Sequence, residues 1–138
     1  MRIYAVIDTN VLVSAMLRSM SVPGSIIEFA LCGTIIPVLN KEIVWEYRNV
    51  LMRDKFHLTE EIVEGMIQSL EEQGEYMNPE YSYIELPEPK DTIFYVVVME
   101  KRKEEDAYLI TGNIRHFPTE YYIVTPREML DIILCRKS

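Results

Sequence analysis

The sequence predicts a single α/β domain, a three-layer α/β/α sandwich with a mainly parallel central sheet. At 138 residues the chain has the usual size of one domain. Strand-like and helix-like segments alternate along it, and this order is typical of a parallel sheet with helices on both faces. The chain has no internal repeat, low-complexity segment or interdomain linker. We therefore expect one domain that spans residues 1–138.

Short apolar runs predict strands, and apolar residues at helical spacing between capping residues predict helices. In the first part of the chain these patterns give a strand at residues 2–7, a helix at 9–18, a helix between Pro23 and Gly33, and a strand at about 34–39. Asn40 then caps a helix that reaches about Arg53. Thr59 caps the next helix, which stops before Gly74.

The second part of the chain begins with one weak strand candidate, and clearer elements follow it. In order they are a weak strand at 80–86, the loop "PEPKD" at 87–91, a helix from 91 to about 103, a strand at 107–111, the turn "TGN" at 111–113 and a strand at 121–124. The helix is predicted although Val96 to Val98 are β-branched. The last helix begins in "TPREML", where Thr125 is a cap, Pro126 suits the first helical position and Glu128 completes a capping box.

The net charge of −8 is unevenly distributed. Nine of the 22 acidic residues lie between residues 59 and 88, where there is no Lys or Arg, which leaves 13 acids and 14 bases elsewhere. An acidic run of this kind either forms a solvated face or attracts a basic partner. The acidic balance of the whole chain therefore does not exclude a nucleic-acid substrate, although phosphates repel acidic surfaces.

The sequence also favours the cytoplasm over a membrane or a secreted location. Cys32 and Cys135 lack metal-ligand spacing, so we expect reduced thiols. The N-terminus has no basic start followed by a cleavable apolar segment, and no run approaches the roughly 18 apolar residues that span a bilayer.

Three carboxylates are candidates for a functional site. Asp8 directly follows the first predicted strand, and Asn113 lies just beyond a later one, so both occur at the carboxyl ends of strands, where open parallel sheets bind ligands. Glu46 lies at the edge of the apolar face of its helix. Asp91 ends a proline-rich loop and starts a helix. Each acid also has a simpler interpretation, because Asp8 and Asp91 would serve as helix caps and Glu46 as a boundary residue that reaches solvent.

Missing motifs exclude several other chemistries. There is no G-x-G-x-x-G or Walker loop for a nucleotide and no G-x-S-x-G elbow for a serine nucleophile. His57 and His116 lack metal-binding spacing. Asp54 ends a helical pattern, which does not suit a phosphoacceptor, and Asn10 stands where a D-x-D phosphatase needs an acid. An acid-only metal site is what remains.

Five motifs occur in order over nearly the whole chain: "VIDTNVLVSAML", "LNKEIVWEYRNVL", "DTIF", "AYLITGNIRHFP" and "IVTPREMLDIIL". Together they resemble the PIN domain, especially the VapC-like ribonucleases that are toxins of bacterial and archaeal toxin–antitoxin pairs. The resemblance implies a Rossmann-like α/β/α sandwich and a metal-dependent ribonuclease. It also implies that a cluster of acids lies at the carboxyl edge of the sheet.

The resemblance assigns roles to individual residues. Asp8, Glu46 and Asp91 correspond to the family's acids and would bind Mg²⁺ or Mn²⁺, which prefer oxygen ligands. Asn113 stands where the family has a fourth acid, so that position carries no charge. The supporting residues would be Thr9, Asn10 and Thr111. A divalent ion would neutralise the repulsion among the acids and activate water for attack on the phosphate.

The resemblance also implies partners. RNA is the expected substrate, and positive charge near the acids would bind it; the candidates are Arg18, Arg48, Arg53, Lys90, Arg115 and residues 101–103. Tyr and Phe side chains are candidates for base stacking. A small antitoxin and a homodimer are further expected partners, whereas a membrane is not. Residues 59–88 should face away from RNA. The alternative is a PIN-like module with weak or no activity that binds RNA or another protein.

Overall fold

A computed structural model describes residues 2–80 and 86–137 of the chain. These two ranges contain five strands, which we number β1 (Ile3–Ile7), β2 (Ile35–Leu39), β3 (Glu75–Tyr76), β4 (Tyr108–Ile110) and β5 (Ile123–Val124). Their α-helices are α1 (Thr9–Leu17), α2 (Val22–Cys32), α3 (Lys41–Leu51), α4 (Glu60–Gln73), α5 (Thr92–Lys101) and α6 (Pro126–Lys137). All strand pairs are parallel. The predicted α/β/α sandwich is therefore confirmed.

The order of strands in the sheet is β3-β2-β1-β4-β5. The chain runs outward from β1 to β2 and β3, and then returns to the other side of β1 to form β4 and β5. The order therefore reverses between β1 and β4, and such a switch point leaves a crevice beyond the carboxyl ends of the strands. Ile7 at the end of β1 is in register with Ile110 at the end of β4. The residues that follow these two positions consequently meet at the crevice.

The predicted helix caps are present. Asn40 Oδ1 accepts a 2.8 Å hydrogen bond from the backbone N–H of Glu42, and Thr59 caps α4 through the backbone N–H of Ile62 at 3.2 Å. Thr125 and Glu128 exchange two hydrogen bonds of 2.9 and 3.1 Å at the start of α6, which is the predicted capping box. Local capping chemistry therefore fixes where three of the helices begin.

In α5, tertiary packing outweighs the low helix propensity of β-branched residues. Val96, Val97 and Val98 are all buried, and α5 packs against β1, β2 and β4. Burial on the sheet stabilises them by about 1.5–3 kcal/mol each, which exceeds the fraction of a kcal/mol by which β-branching disfavours a helix. The predicted helix is thus confirmed in type, with bounds at Thr92–Lys101.

Two parts of the fold differ from the predicted pattern or lie beyond it. Strand β3 was not predicted, because two exposed residues that pair only with Val38 and Leu39 leave no periodicity in the sequence. The weak strand candidate at 80–86 falls mainly on residues 81–85, which lie outside the described residues.

The core contains most of β1, β2 and β4 together with the inner faces of the helices, and Tyr47 and Phe94 are its largest fully buried side chains. Within the described ranges no single helix has the length and apolarity to cross a membrane. Helices α1 and α2 reach that threshold only as a pair, and they are bent by 103° at the break between them.

Candidate active site

Asp8 is a buried carboxylate at the carboxyl end of β1, with 4% of its surface exposed. Although it occupies the cap position of α1, its side chain makes no capping hydrogen bond. Its Oδ2 instead accepts hydrogen bonds from Thr111 Oγ1 at 2.7 Å and from Asn10 Nδ2 at 3.1 Å. The capping interpretation of this side chain is therefore wrong. Thr111 and Asn10, two of the three expected supporting residues, both contact Asp8.

Burial raises the pKa of Asp8 from 3.8 to about 6, because desolvation penalises the carboxylate. The hydrogen bond from Thr111 opposes this increase in pKa, whereas the negative charges of Asp91 and Glu46 add to it. The three acids are thus close enough to repel one another. A positive charge beside Asp8 would relieve both the desolvation and the repulsion.

Glu46 lies on α3. A buried tyrosine of the same helix forms a hydrogen bond with the end of β1. The hydroxyl of Tyr47 donates a 2.5 Å hydrogen bond to the carbonyl of Ile7, the residue before Asp8. Burial and the charges of Asp8 and Glu46 raise the pKa of Tyr47, so its hydroxyl stays a donor. Glu46 is half-buried, and its Oε2 accepts a 2.5 Å hydrogen bond from Thr9 Oγ1. Glu46 therefore does not simply extend into solvent.

Asp91 ends a 3-10 turn, Pro89–Asp91, and is 6% exposed. It makes no capping hydrogen bond to α5. Its Oδ2 lies 3.0 Å from Nδ1 of His116. Burial raises the pKa of Asp91, and the contact with His116 partly offsets that increase.

The three acids line one pocket of about 340 Å³, which we call the carboxylate pocket. Asn113 and Lys90 also line it. The fold therefore brings together, from four separate parts of the chain, the acids and the amide that the sequence analysis selected. A pocket at the switch point of a parallel sheet is the usual place for a ligand in this architecture.

The acids do not yet form a ready set of metal ligands. Among residues 2–80 and 86–137, no group of three or more His, Cys, Asp or Glu side chains is arranged to hold an ion. Glu46 and Asp91 are instead engaged by Thr9 and His116. The donor chemistry fits a hard divalent cation, because every candidate ligand is an oxygen and Asp8 has no positively charged partner within the described part of the chain. Glu46 and Asp91 each use one oxygen in these contacts, Oε2 and Oδ2, which leaves Oε1 and Oδ1 for an ion.

The predicted basic residues are distributed unevenly around the pocket. Lys90 and Arg53 line it, and Arg115 lines the adjoining cleft formed by residues 112–116. Arg48 instead forms an ion pair with Glu64 of α4, and Arg18 ends α1. Neither Arg48 nor Arg18 is among the residues that line the carboxylate pocket. That Arg48 and Arg18 bind RNA stays a prediction, and their absence from the lining of the carboxylate pocket gives it no support.

His116 is the site residue that sequence reasoning missed. No role was assigned to it from the sequence because it lacks metal-binding spacing, and it lies three positions after Asn113. Its contact with Asp91 joins residues separated by 25 positions, so no local pattern could reveal the pair. Its place shortly after the "TGN" turn was the one available signal.

A family profile described as PIN domain matches residues 4–115, a range that includes all three acids and Asn113. The chain belongs to the PIN domain family. PIN domains are generally nucleases, and they generally use divalent metal ions. A search of curated proteins finds no match. The match and the carboxylate pocket together indicate nuclease activity for this PIN domain.

Proposed function

We propose that this PIN domain is an Mg²⁺- or Mn²⁺-dependent endoribonuclease that cleaves RNA phosphodiester bonds with a metal-activated water. The observation that carries the proposal is the convergence of Asp8, Glu46 and Asp91 on one pocket at the switch point of the sheet. The raised pKa of Asp8 also supports the proposal, because a bound cation would stabilise the charged form of this carboxylate. RNA as the substrate follows from the VapC-like resemblance of the motifs.

In this proposal Asp8, Glu46 and Asp91 would hold a divalent cation, which supplies an activated water and neutralises charge that develops on the phosphate. The chain's own residues position the acids. Thr111 and Asn10 fix the rotamer of Asp8, and the backbone N–H of Gly112 donates a 2.9 Å hydrogen bond to Asn10 Oδ1. This network attaches the end of β1 to the turn after β4, so Asp8 is preorganised at little further cost in entropy.

The other residues of the pocket orient the remaining acids and the substrate. Thr9 holds Glu46, and His116 holds Asp91. Lys90 and Arg53 supply positive charge at the pocket, where they would attract the phosphates of RNA. Asn113 would donate or accept a hydrogen bond near the reacting phosphate, with no charge of its own. No side chain needs to act as a nucleophile.

The test is cleavage of an end-labelled RNA pool by the purified chain in Mg²⁺, Mn²⁺ or EDTA. Cleavage should require a divalent ion and should disappear in Asp8→Asn. Asp131→Asn is the matched control, because Asp131 is an exposed acid of α6 that does not line the pocket. Cleavage that persists in EDTA or in Asp8→Asn would contradict the proposed chemistry.

We further propose that the chain acts in the cytoplasm as the toxin of a toxin–antitoxin pair and that it assembles as a homodimer. The support is the VapC-like resemblance, and the raised pKa of Asp8 suits an antitoxin that inserts a basic residue among the acids. Expression of the chain should arrest growth, and co-expression of a neighbouring short reading frame should restore it. Growth that is unaffected by an active nuclease would contradict the toxin role. Light scattering would establish the oligomeric state.

A second candidate is a PIN-like module that binds RNA or a protein with little or no cleavage. It is favoured by Asn113 in place of a fourth acid and by the absence, among the described residues, of a ready set of metal ligands. RNA that is bound but not cleaved with either ion, by a folded protein, would support this alternative.

A further inference from the structure

A second groove adjoins the carboxylate pocket, and it contains the only tryptophan of the chain. The groove has a volume of about 370 Å³, which lies near the lower end of the ~300–1,000 Å³ typical of small-ligand pockets. Its lining comes from the first turns of α3 and from the start of α5: Lys41, Glu42, Trp45, Glu46, Lys90 and Ile93. We call it the tryptophan groove.

The tryptophan groove is continuous with the carboxylate pocket. Glu46 and Lys90 line both of them. Trp45 directly precedes Glu46 on α3, and both residues line the groove. A ligand that occupied the carboxylate pocket could therefore extend past Glu46 and Lys90 into the groove without leaving the surface.

Trp45 is 63% exposed. Single exposed apolar residues are common on protein surfaces and need no special explanation. Trp45 differs by its place, since it forms part of a concave wall together with the apolar side chain of Ile93. An open aromatic face beside a polar site is the arrangement that proteins use to stack nucleic-acid bases.

The groove is lined by two lysines and two glutamates, and the lysines are the groups that could meet the phosphates of a strand. Among the described residues, neither Lys41 nor Lys90 forms an ion pair within 4 Å. The charge of Lys90 also acts on Asp91, where it opposes the increase in pKa that burial causes. Glu42 is the one acid of the lining apart from Glu46, which belongs to the carboxylate pocket. An aromatic platform between lysines combines the two interactions that hold single-stranded nucleic acids.

We propose that the tryptophan groove holds a nucleotide of single-stranded RNA next to the scissile phosphate, with its base stacked on Trp45 and its phosphates near Lys41 and Lys90. The inference deepens the proposed ribonuclease function and rests on it. Because only an unpaired base exposes its face, the groove selects single strands over duplexes. Because every base has a π-face, stacking selects weakly among base types. Trp45 thereby joins the Tyr and Phe side chains predicted from the sequence as candidates for base stacking.

The lone tryptophan allows a direct test, since all indole fluorescence comes from Trp45. The Asp8→Asn protein in Mg²⁺ is titrated with a single-stranded oligouridylate, the same oligomer with abasic sites, and a duplex of equal length. We expect the single strand to quench the fluorescence. The abasic oligomer and the duplex should quench it much less at equal phosphate concentration.

Binding of an end-labelled oligouridylate to variants, measured by anisotropy, tests the energetics. In the Asp8→Asn background, Trp45→Ala should weaken binding by about 5- to 150-fold, the range for loss of one stacked base. Trp45→Phe should restore most of the affinity because it keeps an aromatic face. Tyr121→Ala is the matched control, because Tyr121 is 65% exposed, lies just before the edge strand β5 and does not line the groove.

The outcomes separate this inference from the ribonuclease proposal. Equal affinity of Trp45→Ala and its parent, or equal quenching by the abasic oligomer, would overturn base stacking even if Asp8 is essential for cleavage. Quenching and binding that depend on Trp45 would support the groove even if no RNA is cleaved. Quenching by an acidic or basic peptide but not by RNA would overturn the inference in favour of a protein partner.

Discussion

The hydroxyl of Thr111 donates a 2.7 Å hydrogen bond to Oδ2 of Asp8 and accepts a 2.9 Å hydrogen bond from the backbone N–H of Asn113. Thr111 is fully buried, so one side chain joins the acid after β1 to the turn after β4. Removal of one partner from a buried charged hydrogen bond typically costs about 1–3 kcal/mol. The relationship therefore bears on both the stability and the geometry of the site.

Thr111→Val should lower the free energy of unfolding by about 1–3 kcal/mol at pH 7, because valine keeps the shape but loses both hydrogen bonds. Thr111→Ser keeps the hydroxyl and should recover most of the loss. Urea denaturation of the three proteins in EDTA measures the difference. Equal stability of Thr111→Val and the parent would mean that this hydrogen bond does not hold Asp8.

The raised pKa of Asp8 predicts how stability depends on pH in the absence of metal. Between its unfolded value of 3.8 and its folded value of about 6, the folded protein binds more protons than the unfolded chain. The contribution of Asp8 to the free energy of unfolding should therefore fall as the pH rises through that window, and it stays lost above it. The full change corresponds to about 3 kcal/mol as an upper bound.

Asp8→Asn should accordingly be more stable than its parent at pH 7 in EDTA, by about 1–3 kcal/mol, with a smaller difference at pH 4. Thermal or urea unfolding at the two pH values measures this. Saturating Mg²⁺ should narrow the gap by stabilising the parent alone. A difference that does not change with pH would show that the charge of Asp8 is not penalised in the fold.

His116 holds Asp91 through Nδ1, and its removal should weaken metal binding by about 10- to 100-fold, the usual effect of losing a partner of a metal ligand. His116→Ala is the test, and His116→Asn is the control because its amide reaches a position similar to Nδ1. Calorimetric titration with Mn²⁺ gives the affinities. Unchanged affinity in His116→Ala would mean that Asp91 needs no such support.

Asn113→Asp adds a negative charge to the carboxylate pocket. We expect a lower Mg²⁺ concentration for half-maximal cleavage, since a fourth acid strengthens attraction for a divalent ion. Asn113 is exposed, so the effect on stability should be within about 0.5 kcal/mol. Asn113→Ala separates the gain of charge from the loss of the amide. A requirement for more Mg²⁺ in Asn113→Asp would argue that the amide itself is needed.

Lys90 and Arg48 make a matched pair of basic residues with different surroundings. Lys90 lines the carboxylate pocket, whereas Arg48 is paired with Glu64. Lys90→Ala should weaken RNA binding and reduce its dependence on salt, because a phosphate contact is lost. Arg48→Ala should leave RNA binding nearly unchanged and destabilise the fold by less than about 1 kcal/mol, as expected for an exposed ion pair. A larger loss of RNA affinity in Arg48→Ala than in Lys90→Ala would support Arg48 as an RNA contact.

Much of the fold could be predicted because its information is local. The caps Asn40, Thr59 and Thr125 act on backbone groups two or three residues away, and alternating apolar segments specify a parallel sheet without knowledge of distant contacts. Strand β3 was missed because two residues carry no period, and its strand character comes only from its pairing with β2.

The sequence by itself determined which acids are candidates, since Asp8 follows a strand and the motifs that contain Glu46 and Asp91 resemble the PIN domain. Only the tertiary structure decided how those acids are used. The side chain of Asp8 accepts a hydrogen bond from Thr111 and does not cap its own helix. Asp91 contacts His116, and Arg48 forms an ion pair with Glu64. These pairs join residues between 16 and 103 positions apart. Which residues pair over such distances depends on how the strands and helices pack, and a local sequence pattern does not contain that information.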